Sequence, residues 1–154
     1  VTEAAAICTY LADEFPHARL NVPIGDPRRG VYLKWLFFAP ACIEPAITDR
    51  AFPRQEQPPR GTLGYGEFDT VMKVVAEAVE PGPYLMGDQF TAADVVVGST
   101  LRWGMMFDLV PKGPEFVAYG SRLESGPPCS APPPSIGNWR RPSGQQFEAL
   151  IGLA

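Results

Sequence analysis

The apolar positions of this chain recur with helical spacing from its first residues onward. In the first segment they follow one another at intervals typical of one face of an amphipathic helix: Ala4, Ile7, Cys8, Leu11 and Phe15. Glu3 stands near the positive end of this helix and Pro16 ends it. A helix of about 14 residues is marginal by itself in water, so we expect its apolar face to cover another part of a protein.

A second helix is predicted from about Pro27 to Thr48, after a linker from Pro16 to Gly25. Asp26 followed by a proline is the pattern of an N-cap with proline at the first helical position. The stretch VYLKWLFFAPACIEPAI is apolar on nearly every side, which favours burial against neighbours or in a subunit interface. Pro40 and Pro45 should kink this helix, because each removes an amide donor and clashes with the preceding turn.

Three more helices are predicted further along the chain. The third ends at Pro81 and carries a regular apolar repeat: Val71, Val74, Val75, Ala78 and Val79. The fourth runs from Ala92 to about Phe107 as the buried centre of a bundle, one side being formed by Ala92, Val95, Val96, Ser99, Trp103 and Met106. The fifth is short, from Pro111 to Leu123. Since no strand pattern accompanies these helices, we expect an all-α fold.

The start of the fourth helix has the most specific local pattern, YLMGDQFTAADVVVG. Thr91 can accept the amide of Asp94 while the Asp94 carboxylate accepts the amide of Thr91, which is a capping box. Phe90 and Val95 occupy the positions of a hydrophobic staple. Capping explains Asp94 fully, so we do not interpret this residue as a catalytic acid.

Composition narrows the class of protein without assigning an activity. The 154 residues are 45% hydrophobic and carry a net charge of −4, as in soluble globular domains. Seventeen acidic residues outnumber thirteen basic ones, and Arg140–Arg141 lacks interleaved aromatic residues, so no nucleic-acid partner is expected. The longest apolar run, Trp35 to Ile43, is far shorter than the roughly 20 residues that cross a bilayer, so no membrane partner is expected.

The cysteines indicate a cytoplasmic protein, and the first residue indicates a truncated start. Cys8, Cys42 and Cys129 form no CxxC pair, and His17 is the only histidine, so neither disulfides nor a metal site are predicted. No secretory signal is recognisable. Val1 opens the chain without an initiator methionine and leads directly into a helix, which we interpret as a sign that preceding structure is missing.

No motif brings a nucleophile and a base together, so no catalytic residue is assigned. A surface position suits His17, and a solvated face suits the adjacent Asp13 and Glu14. Cys8 suits a small core residue better than a reactive thiolate. Four residues of the second and fourth helices are candidates for lining an apolar pocket between them: Tyr32, Trp35, Trp103 and Met106. Packing in the core is the more conservative interpretation of the same residues.

Three stretches, TEAAAICTYLADEFP, GDPRRGVYLKW and PYLMGDQFTAADVVVG, together resemble a bacterial glutathione S-transferase in order and spacing. The resemblance runs from Thr2 to about Ser125. It implies that residues 1–16 are the last helix of a thioredoxin-like domain, that 17–26 link two domains, and that 27–124 are the family's C-terminal helical domain. Residues 125–154 depart from the family; they are rich in proline and expected to be disordered, and only QQFEALIGLA at the end has a helical character.

The resemblance also implies an activity and a glutathione site. The family conjugates glutathione, a co-substrate rather than a cofactor, to small hydrophobic electrophiles. Glu3 matches the family's acidic residue that holds the glutamyl end of glutathione. Ala4 replaces the serine that follows it, leaving only a backbone amide at a helix N-terminus for a carboxylate. The family's catalytic residue lies in a region absent from this chain, so we expect the chain to be inactive alone, and a homodimer through the second helix is implied for the parent enzyme.

Two alternatives remain open at this point. Stand-alone domains of this shape also serve as noncatalytic assembly modules, which need only an exposed helical face. A degenerate fragment is the other alternative; it would be poorly soluble because the apolar face of its first helix would be exposed.

Overall fold

The computed structural model describes residues 2–56 and 58–126 of the chain. This part of the chain is built from α-helices joined by turns, and it contains no strand beyond two isolated bridges in the turn before the longest helix. The helices are α1 (Ala4–Glu14), α2 (Arg29–Phe38), α3 (Glu44–Ala51), α4 (Phe68–Val79), α5 (Ala92–Met106) and α6 (Pro114–Glu124). The all-α prediction is therefore confirmed. The Pro-rich tail was predicted for residues 125–154, and its residues from 127 onward lie outside the described residues.

Helix α5 is the centre of the bundle and packs against α1, α2 and α6. Its buried side consists mainly of small and medium residues: Ala92, Ala93, Val96, Val97, Gly98, Leu101 and Gly104. The prediction of which residues of this helix are buried was partly wrong, because Val95, Trp103 and Met106 are 42%, 46% and 59% exposed. Small side chains let neighbouring elements approach closely, so the bundle closes on the glycine side of α5 and leaves the bulkier side open.

The predicted second helix is a continuous helical run made of three parts. Helix α2 passes into a π-helical segment at Ala39–Ile43, and α3 follows directly from Glu44. Pro40 lies inside the wider π segment, where its missing amide and bulky ring are accommodated, and Pro45 is in the first turn of α3. The run begins at Arg29 rather than Pro27; Asp26 accepts the amide of Arg28 at 2.8 Å, one residue before the helix.

The capping box predicted at Thr91 and Asp94 is present. Asp94 Oδ2 accepts the Thr91 amide at 2.8 Å, and both residues are fully buried. Phe90 packs edge to face against Tyr84, with ring centroids 5.4 Å apart. The fifth predicted helix is α6, which begins three residues later than expected, at Pro114. Across the described helices, none combines the length and apolarity that crossing a membrane requires.

Candidate functional site

Glu3 and Ala4 form the exposed N-terminal end of α1. Glu3 is the N-cap residue rather than part of the first turn, and it has φ 68° and ψ 120° with no side-chain capping bond. A positive φ costs a non-glycine residue about 1 to 3 kcal/mol, and such strain clusters at functional sites. No acidic residue lies in the first turn of α1. The amides at this end are therefore open to an external anion such as a carboxylate.

The predicted apolar face of α1 lies on the surface. Ile7, Leu11 and Phe15 are 37%, 46% and 49% exposed, and Tyr10 beside them is 54% exposed. The helix instead buries Ala5 and Ala12, on the side from which it packs against α2 and α5. Small residues suit that close approach, whereas the larger residues stay half exposed, and the Phe15 ring meets only the edge of the neighbouring His17 ring, 6.0 Å between centroids, in the ring contacts of the described residues.

An ion pair fixes the position of α1 relative to α2. The Arg29 guanidinium donates to both oxygens of Asp13, at 2.7 and 3.0 Å, and Asn21 donates to Oδ1 of the same carboxylate. The hydrogen bond from Arg29 is the main reason why the pKa of Asp13 lies below its ordinary value. A bidentate pair of this kind constrains orientation as well as distance, so the C-terminal end of α1, where Asp13 lies, is held in a defined orientation against α2.

Tyr32 and Trp35, two of the predicted pocket residues, are buried in the core of α2. Tyr32 is 0% and Trp35 3% exposed, so neither has surface to offer a ligand in this structure. Burial, helped by the charge of Asp13, raises the pKa of Tyr32 to about 12. Its hydroxyl has no hydrogen-bond partner among the described residues. Trp35 packs against Phe38 with ring centroids 5.4 Å apart.

Trp103 and Met106, the other two predicted pocket residues, are accessible. They lie on the open side of α5 and line a groove of about 440 Å³ between α5 and α6, together with Val95 and Leu123. The Trp103 ring also contacts Phe107, with centroids 4.9 Å apart. The structure thus separates the four residues into a buried pair and an exposed pair that can receive an apolar molecule.

Asp94 is part of a buried hydrogen-bond network that sequence reasoning found only in part. Besides the capping contact, Oδ2 accepts the Thr91 hydroxyl at 3.0 Å, and Oδ1 accepts the Leu85 amide at 2.8 Å and the Tyr119 hydroxyl at 2.9 Å. Burial and the charge of Asp94 raise the pKa of Tyr119. One carboxylate therefore joins the start of α5 to the preceding turn and to α6, which is a structural role.

Comparisons with known proteins relate this helical architecture to a class of protein. The family model "Glutathione S-transferase, C-terminal domain" matches residues 65–127. Glutathione S-transferase GstA of Escherichia coli O157:H7 is 27% identical over 118 residues, which are 77% of this chain and 58% of GstA.

Two solved structures have the same fold. A glutathione transferase from Methylococcus capsulatus str. Bath is 30% identical, with a TM-score of 0.62 over 82% of this chain and 63% of that chain. A glutathione transferase from Phanerochaete chrysosporium, solved in complex with oxidized glutathione, is 20% identical, with a TM-score of 0.63 over 100% of this chain and 68% of that chain.

The fold is thus that of a glutathione transferase C-terminal helical domain. Residues 65–127 match the C-terminal domain of glutathione S-transferases, and the chain as a whole is similar to bacterial glutathione S-transferases. It spans about three fifths of the length of the E. coli and M. capsulatus relatives, 58% and 63% respectively.

Proposed function

We propose that this chain is the helical part of an enzyme that conjugates glutathione to small hydrophobic electrophiles. The observation that carries the proposal is the uncovered apolar face of α1 directly beside the strained Glu3. Such a face suits the packing of a second domain, which would bring its own surface next to the exposed amides of α1. The names of the relatives, all glutathione transferases, supply the chemistry.

In this proposal Glu3 and Ala4 bind the glutamyl end of glutathione. The Glu3 carboxylate pairs with the ammonium group of that end, and the Ala4 amide donates to its carboxylate at the positive end of α1. Trp103 and Met106, the accessible pair, are the candidates for contact with the electrophile. In the reaction the glutathione thiolate attacks the electrophilic carbon and forms a C–S bond. In a substitution the leaving group departs with the electrons of its bond to that carbon, whereas in an addition the resulting carbanion takes up a proton from water. The group that stabilises the thiolate would belong to the added domain, so the chain alone would be inactive.

The domain division follows from the same proposal. Residues 1–16 would belong with the thioredoxin-like domain, 17–26 would link the two domains, 27–124 would form the helical domain, and 125–154 would lie outside the family pattern. Val31 and Phe37 are 47% and 53% exposed on α2, which supports a homodimer through that helix.

A fusion assay tests the proposal. The thioredoxin-like domain of the E. coli relative is joined before Thr2, and conjugation of glutathione to 1-chloro-2,4-dinitrobenzene is followed for the fusion and for the chain alone. We expect turnover only by the fusion, and a loss of most of it in Leu11→Asp, which places a charge under the added domain. Val117→Asp is the matched control, because Val117 is 48% exposed on α6, away from α1.

A noncatalytic assembly module is the second candidate, because the same α1 face could receive a protein partner instead. A folded fusion without turnover would favour the module. Turnover by the chain alone would overturn the two-domain proposal.

A further inference from the structure

A second cleft lies on the opposite flank of Trp103 from the α5–α6 groove. It has a volume of about 440 Å³ between α3 and α5 and is lined by Glu44, Ile47, Thr48, Ser99, Thr100 and Trp103. An adjoining apolar cleft of about 220 Å³ shares Ile47, Thr48 and Trp103 with it. The two clefts therefore adjoin along these three residues, and together they offer a ligand a polar part and an apolar part.

The hydroxyl groups of the polar part present acceptors to the cleft. Thr48 donates its proton to the carbonyl of Glu44 at 2.8 Å, and Ser99 and Thr100 donate theirs to the carbonyl of Val96 at 2.9 and 3.0 Å. Each hydroxyl has only one proton, so its lone pairs are what remains for a ligand. The polar part of the site therefore favours a hydrogen-bond donor.

The charge of the polar part favours a cation, which is consistent with a hydrogen-bond donor. Glu44 contacts the Thr100 hydroxyl at 3.4 Å, and no Lys or Arg lines the cleft or forms an ion pair with this carboxylate in the described part of the chain. The Trp103 indole is 46% exposed, and the face of an indole ring attracts cations. An anion would meet the Glu44 carboxylate without any compensating positive charge.

The adjoining part of the site can hold an apolar group. Beyond the shared residues its lining consists of Ala51, Phe52, Phe107 and Leu109. A ligand that spans both parts would place its charge near Glu44 and its apolar body along Trp103.

We propose that this site binds an amphipathic organic cation, an ammonium group carrying an aromatic or aliphatic body. The Glu44 carboxylate and the Trp103 ring would hold the ammonium group, and the apolar cleft would take the body. This ligand differs in charge from glutathione and its conjugates, and the inference does not depend on the proposed transferase activity.

The test uses the full chain and two probes with the same phenylethyl body and opposite charge, 2-phenylethylammonium, which can donate hydrogen bonds, and 2-phenylethanesulfonate. Binding is followed by NMR through the indole N–H signal of Trp103, which is assigned with Trp103→Phe. We expect a saturable shift with the ammonium probe and none with the sulfonate. Glu44→Gln should weaken ammonium binding about threefold to fivefold, as expected for a charge pair at an exposed carboxylate.

Glu80→Gln is the matched control, because it removes the same charge at an exposed position at the end of α4. It should leave the affinity unchanged, which separates a local site from general attraction to a chain of net charge −4. Circular dichroism verifies that each variant is folded. Equal effects of the two variants, binding of the sulfonate, or no Trp103 shift at the solubility limit of the ammonium would each overturn the proposal.

Discussion

At the scale of single residues, Asp94 joins the start of α5 to the turn before it and to α6. It is fully buried and accepts hydrogen bonds from two amides and two hydroxyls. The sequence predicted one of these contacts, the amide of Thr91, because a capping box is a pattern of adjacent residues. The contacts from Leu85 and Tyr119 could not be predicted in this way, since they depend on how the preceding turn and α6 pack around α5.

Asp94→Ala should lower the free energy of unfolding by about 3 to 5 kcal/mol, because several buried donors lose their acceptor at once. Tyr119→Phe removes only one donor and should cost about 1 kcal/mol. Urea denaturation of both variants measures the difference. Equal losses would mean that the network does not act through Asp94.

Tyr32→Phe should stabilise the protein by about 1 kcal/mol, because it removes a buried hydroxyl that lacks a partner. The ring stays and the packing of α2 is kept. Thermal denaturation at neutral pH tests this expectation. A lower melting temperature would show that the hydroxyl makes a favourable contact.

Alkaline pH provides a second test of Tyr32. Its folded pKa is raised from 10.0 to about 12, so ionisation of Tyr32 costs no stability below pH 10, and stability is lost as the pH rises from 10 towards 12 because the unfolded chain ionises first. Denaturation measured across this range should show a smaller loss of stability for Tyr32→Phe than for the wild type. Parallel curves would contradict burial of the hydroxyl.

At the scale of helices, their existence and order were predictable, and so was most of the buried face of α4, with Val71, Val75 and Val79 buried, whereas the buried faces of α1 and α5 were not. Apolar spacing and capping are local, and they placed α4 and α5 within a few residues of their observed ends. On α1 the sequence favoured the face of Ile7 and Leu11, but the bundle buries Ala5 and Ala12. Which face is buried depends on how closely neighbouring helices can approach, and the hydrophobic period does not carry that information.

Gly104→Ala tests the close packing of α5. The added Cβ would lie 2.5 Å from Val110 Cγ2 and 3.2 Å from Ile47 Cδ1, so we expect a loss of about 1 to 3 kcal/mol from overpacking. At Gly30 in α2 a Cβ would meet nothing within 4 Å, and Gly30→Ala should be neutral or gain up to about 1 kcal/mol from helix propensity. Chemical denaturation of both variants measures the difference between their changes in the free energy of unfolding. Equal changes would contradict close packing at Gly104.

The ion pair between α1 and α2 predicts a dependence on acid. The folded pKa of Asp13 is lowered, so its contribution is present above the unfolded value near 3.8 and is lost as the pH falls through the folded value. Asp13→Asn should lower the free energy of unfolding at neutral pH by no more than about 1 kcal/mol, because the pair is partly exposed. It should also reduce the loss of stability that the wild type shows as the pH falls. Glu14→Gln, the next residue along α1, is the control, and an identical acid profile in Asp13→Asn and the wild type would contradict this role.

At the scale of the whole molecule, the resemblance supplied what periodicity could not. Glu3 has no chemical motif around it, and only its match to the family pointed to glutathione. The structure adds its positive φ, its place as N-cap of α1 and the exposed apolar face that follows it. Trp103 and Met106 were named from composition and spacing, and the structure leaves that pair accessible while it buries Tyr32 and Trp35.

The central claim is that glutathione binds at the start of α1 once a thioredoxin-like domain lies on the open face of that helix. Calorimetric titration of glutathione into the fusion tests it most directly, with the chain alone, Glu3→Gln and the control Glu14→Gln measured in parallel. We expect saturable binding by the fusion, weaker binding by Glu3→Gln, no change in Glu14→Gln and no binding by the chain alone. Equal binding by the fusion and its Glu3→Gln variant would contradict it.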